Sequence, residues 1–166
     1  IEGLVRRHYD VRVISLTRLA DGEPGYEADL EALGVPVEHA DETPPSTDAM
    51  SIGPDGSDRP APLPPWLTLR MAPIVAAIRR HHPAVVHGWL DAAGIAGGFA
   101  GCTLGVPRTI IQQGSMAIVR RGNAASDAMQ RAYLALSANP SITIVNNCIA
   151  GARDNETWIG LPRDKI

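Results

Sequence analysis

The sequence predicts an α/β fold, a Rossmann-like parallel sheet with helices on both faces. Short branched apolar runs alternate along the chain with stripes of helical period, and strands that alternate with helices imply a parallel sheet covered on both sides. The 166 residues suit one domain, and 45% hydrophobic with 20% charged residues are globular proportions. With only 4% aromatic residues, the core must be built from Ala, Val, Leu and Ile.

The opening IEGLVRRHYD reads as the tail of a helix, with Leu4 to His8 at its end. VRVISL (11–16) has the alternating, branched character of a strand. YEADLEALG (26–34) sets Ala28, Leu30, Ala32 and Leu33 near one helical face and stops at Gly34. VPVE (35–38) is a short edge-type strand that tolerates Pro36. Leu67, Met71, Ile74, Val75 and Ile78 step by three and four, an amphipathic helix that Pro73 must kink or open. AVVHGW (84–89) is a buried-strand run, and Asp91 leads into AAGIAGGFAGCTLG, a small-residue helix. RTIIQQ (108–113) and SITIVNN (141–147) are strands. Between them Ala128, Met129, Ala132, Tyr133 and Leu136 mark a helix, and GARDNETWIG (151–160) is a last short helix ending at Gly160. No internal repeat is evident.

Charge is unevenly placed: residues 1–20 carry net +2, residues 21–60 net −10 and residues 61–166 net +5. Seven prolines between Pro44 and Pro65 fall in or beside the acidic stretch, so 39–64 is expected to be an exposed, irregular Pro-rich acidic loop. A net charge of −3 argues against nucleic acid as a partner. Two cysteines, Cys102 and Cys148, form no disulfide framework and point to a reducing compartment, the cytoplasm. The longest uncharged run of the second half, Ala92 to Pro107, is too short and glycine-rich to span a bilayer. In a Rossmann-like sheet the first strand is central. If Leu4 to His8 ends the first helix, that strand lies upstream of residue 1. The expectation is then of a truncated domain, poorly stable by itself.

Common catalytic signatures are missing. No GxxxxGK[ST] loop occurs, and GIAGGFAG (94–101) lacks the G-x-G-x-x-G order. Its glycines more simply let a helix approach the sheet. QGSMA around Ser115 is not a nucleophile elbow. His81, His82 and His87 lack a metal-ligand spacing, and no metal or cofactor is predicted.

What remains is a set of polar residues at the carboxyl ends of predicted strands, where open α/β sheets bind ligands. His87 and Asp91 follow one strand, Gln112 and Gln113 end another, Asn146 and Asn147 a third, and Ser15 to Arg18 end the first. His87 also reads as a core histidine, Asp91 as a simple helix N-cap and Trp89 as packing. Because strand side chains alternate, only one of Gln112 and Gln113, and one of Asn146 and Asn147, reaches the crevice. The convergence suggests a cleft for neutral hydrogen bonding to a hydroxylated ligand, with Arg120 and Arg121 near enough to meet an anionic group.

These residues resemble the N-terminal half of GT-B-fold glycosyltransferases, most closely the family 4 retaining enzymes. The family's "rPDvVHaW" strand end and "aGllaglla…GVPr" helix correspond to HPAVVHGWLDAAGIAGGFAGCTLGVPR (82–108). Its "NSragArdyarwlGlPpeKI" corresponds to NNCIAGARDNETWIGLPRDKI (146–166). YDVRVISLTR (9–18) and LEALGVPVEH (30–39) are similar to its early strands. The resemblance implies one acceptor-side Rossmann-like domain over 1–166, part of a longer chain whose second domain grips a nucleotide sugar and carries the catalytic Glu-x7-Glu motif. The fragment alone would then be inactive. It implies a retaining transfer, without an obligatory metal, onto a sugar or lipid-linked acceptor in polysaccharide or glycoconjugate assembly. His87 and Gln113 would line the crevice, and Asp91 and Asn147 would orient it or bind hydroxyls. Arg120 and Arg121 would meet an acceptor phosphate or the inner membrane surface. Two departures stand out: Gln113 lies where many members have histidine and cannot replace it in acid–base work, and Cys148 lies where a serine is common. Two other readings compete. One is a non-catalytic acceptor-binding subunit of a two-chain glycosyltransferase. The other is a nucleotide-binding oxidoreductase domain, disfavoured by the missing glycine fingerprint.

Overall fold

The computed structural model describes residues 1–17, 25–40, 65–114 and 124–166, with side chains except at 65–70 and 124–125. Arg120, Arg121, Arg18, Ser115 and most of the 39–64 loop therefore lie outside the described residues. The protein is α/β, and its described strands form two parallel sheets, an arrangement compatible with a Rossmann-like fold. The chain divides into two units, residues 1–45 and 46–166.

In the first unit, α1 (Glu2–Val5), β1 (Val13–Ser15), α2 (Glu27–Ala32) and β2 (Val37–His39) follow in order. β1 and β2 run parallel, with Val13 opposite Val37 and Ser15 opposite His39. Gly34 stops α2 as expected: at φ 71° it occupies the left-handed region that glycine enters without a Cβ clash, and the chain turns so that Val35 N–H bonds the Leu30 carbonyl. Val35 is buried at the turn, and Pro36, which lacks a donor, lends its carbonyl to Val13 N–H at 3.0 Å.

The second unit contains α3 (Pro65–His81), β3 (Val85–Trp89), α4 (Leu90–Thr103), β4 (Arg108–Gln113), α5 (Ala124–Ser137), β5 (Ile142–Asn146) and α6 (Ile149–Ile159). Its sheet has the order β3-β4-β5, all parallel, with Ile111 opposite both Gly88 and Ile144. Pro65 opens α3, where its missing N–H costs nothing, whereas Pro73 lies well inside the helix and is buried. The first-turn alternative for Pro73 is thereby excluded.

α4 packs on β3 and β4, α3 on α4, α5 on α4 and β5, and α6 on α5 and β5. The small-residue segment explains how α4 comes so near the sheet. A Cβ on Gly94 would lie 2.6 Å from Ile111 Cγ2, one on Gly98 2.9 Å from Leu136 Cδ1, and one on Gly101 would strike Thr109 Oγ1. The sheet-approach reading of these glycines is therefore the observed one. Ile95, Ala96, Ile111 and Tyr133 are wholly buried between the layers. α5 and α6 meet through the Tyr133 and Trp158 rings, centroids 6.1 Å apart and edge to face, and through Gln130 Nε2 donating to the Trp158 carbonyl.

α6 ends at Gly160, φ 85°, with Gly160 and Leu161 N–H both bonding the Glu156 carbonyl. The Glu156 side chain is buried yet fully engaged. It accepts from Arg153 at 2.9 Å and from the backbone N–H groups of Lys165 and Ile166, pinning the final residues against the helix.

Candidate functional site

The site is assembled at the carboxyl ends of β3, β4 and β5, where each strand turns into the next helix. In β4, Thr109, Ile111 and Gln113 are buried while Arg108, Ile110 and Gln112 are not, the two-residue period of a sheet whose one face carries α4 and α5. Gln113 is the last residue on the covered face and is 2% exposed. Neither its Nε2 nor its Oε1 has a hydrogen-bond partner, an arrangement that costs about 1–3 kcal/mol in a folded chain. Its neighbour on that face is Tyr133 of α5. The Tyr133 hydroxyl donates to Asp91 Oδ1 at 2.7 Å.

Asp91 is not the N-cap of α4. That position belongs to Trp89, which makes no side-chain cap, and Asp91 lies one residue inside the first turn. There its charge favours the positive end of the helix dipole, and the phenol holds one carboxylate oxygen. Burial pushes the Tyr133 hydroxyl far above its ordinary range, and the Asp91 charge and hydrogen bond push it further, with only a small opposing influence from the nearby Gln113 amide. Tyr133 is therefore a neutral, fixed donor. Gln113 is close enough to exert that influence, yet its amide makes no hydrogen bond of good geometry.

Between the helices lies Gly114, directly after β4. Asn147 donates from Nδ2 to the Gly114 carbonyl at 3.1 Å, which leaves its amide oxygen for another partner. Leu90 lies over the other side of Gly114: a Cβ on this glycine would come 2.9 Å from Leu90 Cδ2. Leu90 itself has φ 65°, a left-handed conformation that costs a residue with a Cβ roughly 1–2 kcal/mol. It is 62% exposed, so burial does not repay this locally.

Asn146 completes the strand end by accepting from Cys148 N–H at 3.1 Å, and Cys148 in turn caps α6, its sulfur accepting from Gly151 N–H at 3.3 Å. Cysteine thus fills the capping place of the serine expected from the resemblance, as a weaker acceptor.

Asp91, Gln113 and Asn147 are thus brought to one end of the sheet. His87 is not brought to Gln113. It sits opposite Ile110 in register, two residues before the strand end, and by alternation its ring faces away from the helices. On that open face it pairs with Trp89, centroids 5.0 Å apart, and is hydrogen-bonded by Gln112. Partial desolvation lowers the His87 pKa from 6.5, with Gln112 opposing. Two residues escaped the sequence reading. Tyr133 was legible as core, and its hydroxyl, which needs a partner when buried, was the available signal. Leu90 carried none, because leucine does not announce a positive φ.

The collected groups are one carboxylate and neutral amide donors and acceptors. They suit hydroxyl groups. Among the described residues no cluster of three His, Cys, Asp or Glu could hold a metal, and no helix is long and apolar enough to cross a membrane. No protein-family profile, characterised protein or solved structure matches the chain.

Proposed function

We propose that this chain is the acceptor-binding domain of a glycosyltransferase that draws on a nucleotide-sugar donor in polysaccharide or glycoconjugate assembly. The observation that carries the reading is the buried, unpaired amide of Gln113 at the end of β4. The Gln113 amide, near the Tyr133 hydroxyl but without a hydrogen bond of good geometry, can accept one sugar hydroxyl and donate to its neighbour, while Asp91 and Asn147 offer acceptors at the same end of the sheet. The motif resemblance over 82–108 and 146–166 supports the same assignment. In this reading the donor is held by a second domain, and the residues of this chain orient the acceptor.

The test is a calorimetric titration of the chain with methyl glycosides of glucose, galactose and mannose, repeated on Gln113→Leu. Replacing an unpaired buried amide with an apolar group of similar size leaves stability unchanged or raised. Saturable binding that Gln113→Leu abolishes without loss of stability is the expected result. Binding of none of the glycosides, or binding indifferent to the substitution, overturns the proposal.

A further inference from the structure

We infer that Tyr133 is a positioning residue: it turns the Gln113 amide with its nitrogen inward, so that the site offers acceptors and selects a ligand whose hydroxyls donate. The inference rests on the sugar-acceptor reading above and adds the hydrogen-bond polarity that the ligand must have.

Tyr133 is wholly buried in α5 and packs edge to face on Trp158. A phenylalanine would serve that packing equally well. What sets the residue apart is its hydroxyl, which reaches from the core to the site. A phenol has one proton, and Tyr133 gives it to Asp91 Oδ1 at 2.7 Å. Burial, with the Asp91 charge and bond, keeps that proton on the phenol. Toward Gln113 the same oxygen therefore offers only lone pairs. An amide has one donating and one accepting end, and only the donating end suits such a neighbour. The influence of Gln113 on the phenol, which eases its ionisation, has the sign of a donor. No hydrogen bond to either amide atom holds the group the other way round. With Nε2 drawn to Tyr133, Oε1 is the end left to the ligand.

The other two side chains have the same polarity. Asp91 is a carboxylate, so the oxygen that does not hold the phenol is an acceptor as well. Asn147 gives its Nδ2 to the Gly114 carbonyl and keeps its amide oxygen. A hydroxyl can donate to all of these, whereas a group that only accepts cannot.

The experiment titrates the intact chain with the methyl glycosides of glucose, galactose and mannose and with their deoxyfluoro analogues, one hydroxyl replaced at a time. Fluorine is a weak acceptor and cannot donate. In the parent protein, fluorine at the hydroxyl that meets Gln113 weakens binding about tenfold, the scale of a buried acceptor left unpaired. Tyr133→Phe frees the amide to turn its nitrogen outward, and the penalty at that hydroxyl falls toward none. At the hydroxyl that meets Asp91 the penalty remains, because a carboxylate has no donating end to turn. Lost packing alone would weaken hydroxyl and fluoro glycosides alike and leave their ratio unchanged. In the unliganded parent, nuclear Overhauser contacts run from the Gln113 side-chain amide protons to the Tyr133 ring, an arm that needs no variant to fold. Their absence overturns the inference. So does equal binding of hydroxyl and fluoro glycosides by the parent, or a full set of fluorine penalties that survives Tyr133→Phe, and in each case the acceptor reading stands. Binding of no glycoside at all removes the acceptor reading and this inference together.

Discussion

The hydroxyl of Tyr133 reaches Oδ1 of Asp91 at 2.7 Å, tying the buried centre of α5 to the first turn of α4. This bond fixes the only carboxylate that the site takes from β3, β4 and β5 or the residues directly following them. Tyr133→Phe deletes a donor to a charged group and should cost about 1.5–3 kcal/mol. Asp91→Asn removes the same pairing from the other side. Urea unfolding of both single variants and the double variant checks this, and a double-variant loss well below the sum of the singles is the expected result. Strict additivity would show that the two residues do not act as a pair.

Glu156 gives the fold a pH dependence of definite sign. The backbone N–H of Ile166, then Arg153 and the backbone N–H of Lys165, hold its carboxyl below the ordinary carboxylate range, against the opposing effect of burial. A carboxylate whose folded pKa is depressed stabilises the fold above its unfolded pKa, and that contribution fades as pH falls through the folded value. Glu156→Gln should therefore lower the urea midpoint at pH 7 and approach the parent protein in strongly acid solution. A gap that stays constant with pH would assign the loss to packing rather than charge.

Gly94→Ala and Gly98→Ala test how closely α4 lies on the sheet. Alanine improves intrinsic helix propensity by about 1 kcal/mol. Against that, the new methyl would sit 2.6 Å from Ile111 Cγ2 in the first case and 2.9 Å from Leu136 Cδ1 in the second. Overpacking of this kind costs about 1–3 kcal/mol, and Ile111 is wholly buried with little room to move. Net destabilisation is expected, larger for Gly94, whose clash lies near the backbone end of its neighbour. Thermal unfolding decides the sign.

His87 titrates on the open face of the sheet. Its pKa is lowered by desolvation and partly restored by Gln112. As pH falls through 6.5 the unfolded chain gains this proton before the folded chain does, so His87 subtracts stability until the folded value is passed. An NMR titration of the His87 ring should show a midpoint below 6.5, and Gln112→Ala should move it lower still. A midpoint at or above 6.5 would contradict the desolvation.

Strand and helix order was legible because the period of each segment is local, although AVVHGW, expected as a buried strand, became β3 with only Gly88 buried. RTIIQQ alternates and becomes β4 over the same six residues, and Gly34 and Gly160 end helices at positive φ. The candidate site was legible only by chain position. Sequence places Gln113 and Asn147 near strand ends, and Asn147 does bond the carbonyl of Gly114, the residue after Gln113. It also set His87 beside them, but β3 has paired so that His87 lies opposite Ile110, on the other face from Gln113. A two-residue period determines which residues share a face of one strand, whereas the register between strands determines which faces meet.

The sequence by itself determined the parallel α/β character and the glycine-built contact of α4, because periodicity and side-chain size are local properties. Tertiary structure alone decided that Asp91 is held by Tyr133, that the Gln113 amide is buried without a partner, and that Leu90 adopts a left-handed turn over Gly114. Each of these depends on where separate elements come to rest against one another, and no window of chain encodes that distance.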